Sequence, residues 1–335
     1  MSSVNGSQQS LRVAVLGIRG QAARHIKLIS DMSSIHLQHA YHPNKAKFES
    51  ADYANMPITD DLNVCHESDV IIIASPTDTH FVQLEALVDY PGYILLEKPA
   101  VESRSDIGQL LNISDDRKSR IKINFNFNFN PVAHTLTKVL DSGALGKPIH
   151  ASFETNHGGA FRDGWGNNWR TENPLGGSIY TVGIHYVQWV TERFGAPTEM
   201  TVRTSNYAGN SVDDTGNAQL IWDDGLMVNI WTSYASPLKA KFEITGTDGY
   251  VVYDGFSMKL YSPRDTFDEK GLFATPAATI QIEEKWNDAY QTSLGNSQKV
   301  FWNEVVAETY FDPDQFDSDV RVMGLLVDAS NPKPA

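Results

Sequence analysis

Lys98 stands directly after an apolar run, Tyr93-Ile94-Leu95-Leu96, in the triplet Glu97-Lys98-Pro99. A lysine at the end of a buried strand is partly desolvated, and near a cofactor it can bind or deprotonate an alcohol while hydride leaves the carbon. A lone lysine elsewhere is a solvated surface charge, so its place decides its meaning. His185 lies inside Ile184-His185-Tyr186-Val187-Gln188-Trp189-Val190, where it is either a hydrogen-bonded core histidine or an acid–base group facing a ligand. Helical spacing puts Thr181 four residues earlier on the same face. A threonine cannot take up a proton near neutral pH.

The run Leu11 to Leu16 leads straight into Gly17-Ile18-Arg19-Gly20-Gln21-Ala22-Ala23, a tight turn opening a helix whose free amides can receive a pyrophosphate. Against G-x-G-x-x-G/A, Gly17 and Ala22 fit the first and third positions, while Arg19 stands at the second. An ordinary strand-to-helix turn is the alternative. The next run ends Ala40-Tyr41-His42-Pro43-Asn44-Lys45, without the carboxylate that binds an adenosine ribose. Arg19, His42 and Lys45 can supply positive charge to a 2′-phosphate, which leaves NADP at least as open as NAD. A third run, Val70 to Ala74, is followed by Ser75-Pro76-Thr77-Asp78-Thr79-His80.

The segment Asn156-His157-Gly158-Gly159 through Arg162, Trp165, Asn168, Trp169 and Arg170 offers aromatic faces and planar donors, which suit a polyhydroxylated ring or a phosphate. A packed loop with structural tryptophans is the alternative. The ten histidines are scattered, and no His-Glu-x-x-His or equivalent spacing marks a metal site.

These residues need elements to position them. Up to about Phe125, short apolar runs alternate with amphipathic stretches: Leu11 to Leu16, a helix to Met32, Ile35 to Tyr41, Val70 to Ala74, a helix from Phe81 to Tyr90, Tyr93 to Leu96, a helix near Asp106 to Ile113, and Ile121 to Phe125. That order predicts a doubly wound parallel sheet, with ligands beyond the carboxyl ends of its strands. A helix from Val132 to Leu140 follows, then the irregular segment to Gly177 and a second helix over about Ser178 to Phe194. Strands at Met200 to Asn206, Ala218 to Trp222, Met227 to Ser233, Lys241 to Gly246 and Tyr250 to Tyr253 then read as an antiparallel sheet, before helices near Ser297 to Tyr310 and Ser318 to Ala329. The reading is a disordered lead-in over 1–10, an α/β domain over 11–125 and an α+β domain over 126–335.

With 335 residues, two domains are expected. The formal charge of −14 repels phosphate backbones and argues against nucleic acid as a partner. No apolar run approaches the roughly 20 residues of a membrane span. The polar N-terminus lacks a secretory signal and Cys65 is the single cysteine, so a reducing cytoplasm is the expected setting.

In order and spacing, the glycine turn, Ser75-Pro76, Glu97-Lys98-Pro99, Phe129-Asn130-Pro131, Asp141-Ser142-Gly143-Ala144-Leu145-Gly146, Trp169-Arg170, Gly176-Gly177 and Gly183-Ile184-His185 resemble the glucose-fructose oxidoreductase, inositol dehydrogenase and rhizopine-catabolism family of dehydrogenases. The resemblance runs from Leu11 to about Ala329. It implies a Rossmann-type domain, an α+β domain with a large, mainly antiparallel open sheet, and assembly as a homodimer or homotetramer. It implies NAD or NADP as cofactor, held by Gly17, Arg19, Gly20, Gln21, Ala22, His42, Ser75, Pro76, Thr77, His80, Glu97 and Lys98. Lys98 and His185 become the catalytic pair, and Lys98, Asn126, Arg162, Trp165, Trp169, Arg170, Thr181 and His185 the substrate contacts. The implied activity is hydride transfer between a nicotinamide and a hydroxyl or ketone of a sugar, an inositol or a nucleotide-linked sugar. Many relatives carry aspartate where Thr181 stands and another acid at Gln188, so a non-catalytic dinucleotide- or sugar-binding sensor with the same fold is the alternative.

Overall fold

A computed structural model describes residues 10–163, 165, 169–262 and 267–330, with Trp169 and Pro174 described by their backbone alone. The chain forms two compact units. One reaches to Asn124 and takes in Phe301–Val320; the other comprises Phe125–Val300 and the chain from Arg321 on.

The first unit is built on β1 (Leu11–Leu16), β2 (Ile35–Tyr41), β3 (Ile58–Thr59), β4 (Val70–Ile73), β5 (Tyr93–Glu97) and β6 (Ile121–Asn124), with α1 (Gln21–Ser30), α2 (His80–Ala86), α3 (Arg104–Leu111) and α4 (Asp115–Lys118). The strands pair in parallel in the order β3-β2-β1-β4-β5-β6. Val70, Ile71, Ile72 and Ile73 are all fully buried, as expected of a parallel sheet covered on both faces. On one face Val13, Val15, Ile72 and Leu95 pack against Ala22 and Ile29 of α1. Phe301, Trp302 and Val305 belong to the same core cluster. Residues 301–320 therefore join the first unit, although the sequence reading assigned everything after 125 to the second; three large apolar side chains fill the space beside α1.

The second unit holds α5 (Pro131–Asp141), β7 (Pro148–Asn156), α6 (Trp169–Glu172), α7 (Ile184–Phe194), β8 (Glu199–Ser205), β9 (Thr215–Ile221), β10 (Met227–Ser233), β11 (Lys239–Gly246), β12 (Tyr250–Tyr253), β13 (Ser257–Tyr261) and β14 (Ala278–Glu283). Two C-terminal helices, α8 (Trp286–Val306) and α9 (Pro313–Ser330), complete the chain. The eight-stranded sheet runs β14-β13-β12-β11-β7-β10-β9-β8 and is antiparallel except where β10 lies parallel to β7. Phe153 of β7 stacks on Tyr186 of α7 and meets Trp189 edge-on, and Phe242 of β11 packs against both Phe153 and Tyr186. That aromatic layer fixes α7, and with it His185, over the sheet.

Several elements differ from the sequence reading. β7, in the middle of the sheet, has no counterpart there, nor have β13 and β14. The helix expected over Ser178 to Phe194 begins as a π-turn at Ile179–Gly183 and becomes α-helical only at Ile184. α8 starts at Trp286, not near Ser297. Three short helical turns, at Gly158–Phe161, Trp169–Glu172 and Pro174–Gly176, interrupt the segment read as irregular.

Candidate active site

In the first unit the site grows from the end of β1. Gly17 has φ +116°, and a Cβ there would come within 2.9 Å of Ala74 O and 3.0 Å of the Ala22 methyl, so only glycine lets helix and strands approach this closely. Gly20, at φ +61°, precedes α1 directly, and a Cβ built on it meets nothing within 4 Å. No side chain caps the helix N-terminus, so its first amides and the positive end of the helix dipole are available to an anion. The two left-handed glycines are thus Gly17 and Gly20, with Arg19 between them free of that demand. This cradle fits a dinucleotide pyrophosphate. Ala22 is fully buried against the sheet, and Gln21, at the first helical position, accepts from the Arg24 guanidinium at 2.9 Å.

At the end of β4, Ser75 Oγ donates to Gln83 Oε1 at 2.7 Å and accepts from Thr79 Oγ1 at 2.8 Å. Pro76 and the buried Thr77 lead into α2, whose first residue, His80, is 2% exposed. His80 Nδ1 lies 2.7 Å from Pro99 O and Nε2 lies 2.8 Å from Ser75 O, so one ring braces the β4 strand end against the chain beyond Lys98. Burial outweighs the two carbonyls and holds the His80 pKa below the ordinary histidine value.

Glu97 ends β5 and is buried. Its Oε1 accepts from Asn124 Nδ2 at 2.7 Å and from His25 Nε2 at 2.8 Å. Burial alone would raise its pKa, but the His25 bond and charge, the Lys98 charge and the Asn124 amide together hold the carboxyl below the usual carboxylate range. Lys98 follows half-buried, and the Lys98–Pro99 bond is cis. His25, fully buried on α1, was not singled out from the sequence. Its position one helical turn beyond Ala22 on the core face was the signal that could have found it.

The second unit holds a separate group. The hydroxyl of Thr181, in the π-turn, donates to Gly177 O at 3.0 Å and meets the phenol of Tyr234. Tyr234 is buried; its ring lies 4.6 Å from His157 and 5.0 Å from Trp165, and Arg170 hydrogen-bonds its hydroxyl. Burial raises the Tyr234 pKa despite Arg170 and Thr181, and burial with the nearby Arg170 charge lowers that of His157. Thr181, Trp165 and Arg170 thus converge on a tyrosine that sequence reasoning missed. A π-turn beside such a group is a frequent companion of functional sites. Arg162 is exposed, and the side chain of Trp169 lies outside the described residues. Asn126 is buried and donates to Ser293 Oγ at 2.8 Å. His185 is half-buried, its ring edge-on to Phe125 at 6.0 Å. Gln188 accepts from Asn128 Nδ2 at 3.0 Å and donates to Glu192 at 3.1 Å, so here an amide takes part in a structural cluster.

Among the described residues no three His, Cys, Asp or Glu side chains could together hold a metal ion, and no helix is long and apolar enough to cross a membrane.

Residues 11–125 match the oxidoreductase family with an NAD-binding Rossmann fold, and residues 133–252 match the GFO/IDH/MocA C-terminal domain. A scyllo-inositol 2-dehydrogenase (NADP(+)), IolU, of Bacillus subtilis (strain 168) is 24% identical over 251 residues, 73% of this chain and 76% of that protein. The myo-inositol 2-dehydrogenase of Lactobacillus plantarum superposes with a TM-score of 0.75 at 17% identity, covering 96% of this chain and 98% of the other. GenD2 of gentamicin A biosynthesis, solved in complex with NAD, superposes with a TM-score of 0.74 at 19% identity over 97% and 95% of the two chains. At such identities these two structures establish the fold. With both of its units matched, the chain belongs to the GFO/IDH/MocA oxidoreductase family, and its first unit is an NAD-binding Rossmann fold.

Proposed function

We propose that the protein catalyses hydride transfer between a nicotinamide dinucleotide and the hydroxyl or ketone carbon of a sugar, an inositol or a nucleotide-linked sugar. The observation that carries the reading is the uncapped, glycine-opened start of α1 in the same unit as Lys98, whose neighbours Glu97 and Pro99 are tied to His25, Asn124 and His80. Gly17, Gly20, Gln21 and Ala22 would hold the pyrophosphate through backbone amides. The bound nicotinamide supplies a carbon that accepts or returns hydride. Lys98 holds the reacting oxygen, and His185 takes the hydroxyl proton when an alcohol is oxidised and returns it in reduction. Tyr234, Thr181 and Arg170 supply the hydroxyl and guanidinium groups that a polyol recognises, with Trp165 and His157 as apolar faces.

A homodimer or homotetramer built on the outer face of the eight-stranded sheet accompanies this reading, since open antiparallel sheets commonly bury their free face against a second copy. Met227 on β10, which alternates with the buried Val228, lies on that face and is 45% exposed. Cys65, a buried free thiol, suits a reducing cytoplasm.

The test is a titration of NADH and NADPH fluorescence followed by a panel of inositols and sugars with NAD and NADP. Saturable binding and turnover of a polyol are expected. Failure of both dinucleotides to bind would end the reading, and tight binding of cofactor and sugar without hydride exchange would make the protein the non-catalytic sensor.

A further inference from the structure

β2 ends at Tyr41, and between Ile35 and Phe48 the chain contains no aspartate or glutamate. In dinucleotide folds an acid at this place accepts the adenosine ribose hydroxyls and repels a 2′-phosphate. Here the region is cationic and, unlike a loop of unrelated polar residues, it is organised. The Arg19 guanidinium, exposed between Gly17 and Gly20, lies over the ring of Phe48 at 5.0 Å. The His42 ring meets that same ring edge-on at 4.7 Å, and Tyr53 closes it from another side at 5.0 Å. Phe48 itself is buried, packed with Ile18 and Ala40. Stacking on a fixed aromatic ring restricts a guanidinium that would otherwise sample many rotamers, so less entropy is lost when it pairs with an anion.

The His42 ring is fixed too. Its Nδ1 lies 3.0 Å from the Asn44 backbone N and 3.1 Å from Asn44 O, which holds the ring in place. The charges that act on His42 are Lys47 and Arg19, both cations; they add to burial in keeping its pKa below the ordinary histidine value, against the opposing Asn44 contact. Two cations and an imidazole therefore gather where an acid would stand in an NAD-selective fold.

From this geometry we infer that the Arg19–Phe48–His42 group is a 2′-phosphate site and that the protein selects the 2′-phosphorylated dinucleotide, NADP(H), over NAD(H). The inference rests on the dinucleotide site proposed above and deepens it. Arg19 offers several N–H donors in a planar fork, His42 sets a polar imidazole beside it, and Lys47 contributes long-range attraction; NAD, with a plain ribose hydroxyl, uses little of this. The discrimination expected for one charge-assisted contact plus a second polar contact is about 10- to 100-fold.

Equilibrium titration by reduced-nicotinamide fluorescence tests it, with adenosine 2′,5′-bisphosphate and 5′-AMP as competitors that lack the nicotinamide. NADPH should bind at least about 10-fold more tightly than NADH, and the bisphosphate should compete better than 5′-AMP. Arg19→Gln should remove most of the preference by weakening NADPH alone, and His42→Asp should reverse it. The unliganded melting temperature of each variant shows whether it is folded, and either variant suffices if the other is not. NADH binding as tightly as NADPH, or Arg19→Gln weakening both equally, overturns the 2′-phosphate site while leaving the dehydrogenase reading intact. Binding of neither dinucleotide overturns both.

Discussion

His25 Nε2 lies 2.8 Å from Glu97 Oε1, a bond that pins the helix opened by the glycine turn to the residue beside Lys98. Both partners are buried, so neither is screened by water, and removal of one leaves the other's polar atoms short of a partner. Pyrophosphate cradle and lysine are held in one frame by side chains rather than by the sheet alone.

Glu97→Gln keeps the shape but turns a charge-assisted bond into a neutral one, at an expected cost of about 1.5–3 kcal/mol at pH 7. A carboxyl held below its usual pKa contributes stability that is fully present above the unfolded value of about 4.3 and is lost as pH falls through the folded value. The gap between wild type and variant should therefore shrink below about pH 4.3. Thermal unfolding across pH 3 to 7 checks this, and a Glu97→Gln variant as stable as wild type at pH 7 would refute the bond's importance.

His80 gives a second pH dependence, in a milder range. Its pKa in the folded protein is lowered, so between the unfolded value of about 6.5 and that lower value the unfolded chain binds more protons than the folded one. Stability should fall on acidification from about pH 6.5, and His80→Asn should flatten that slope whatever it does to stability at pH 8. Melting temperatures measured in steps from pH 8 to 5 decide the point; parallel curves for the two proteins would contradict it.

Lys98→Met preserves much of the stem's packing while removing the charge and all its donors. With a polyol substrate, kcat should fall by at least about 10²-fold, and dinucleotide affinity should stay within a few-fold. Steady-state rates and fluorescence titration of the same preparation separate the two. Equal turnover by variant and wild type would mean that another group holds the reacting oxygen.

Much of the first unit was legible because a parallel sheet writes continuous apolar runs such as Val70 to Ile73 and puts glycines where the backbone must turn. The second unit was harder. β7 alternates correctly, but of its inward positions only Phe153 is large and apolar, Ala151 being small and Thr155 polar, so the alternation does not stand out before the sheet around it is known. The middle of α8 buries Ser293, Ser297 and Gln298, so polar residues on its inner face hide the helical period there. Lys98, His185 and the glycine turn could be picked out by motif. His25 and Tyr234 could not, because their meaning lies in partners 72 and 53 residues away.

The last prediction concerns Tyr234, whose hydroxyl joins Thr181 and Arg170. Because burial raises its pKa, the phenol keeps its proton at neutral pH and acts as a hydrogen-bond donor or acceptor, not as a charge. If it orients Thr181 and Arg170 toward a polyol, Tyr234→Phe removes one oxygen while the ring contacts to His157 and Trp165 persist. The expected stability loss is then about 1–2 kcal/mol, the cost of leaving a buried partner unsatisfied. KM for the polyol should rise by roughly 10-fold, with dinucleotide affinity unchanged. Thr181→Val should produce a similar rise, and the double variant should be less than additive, since the two hydroxyls act through one contact. A purely structural tyrosine would lower the melting temperature and leave KM where it was, and fully additive effects on KM would separate the two residues.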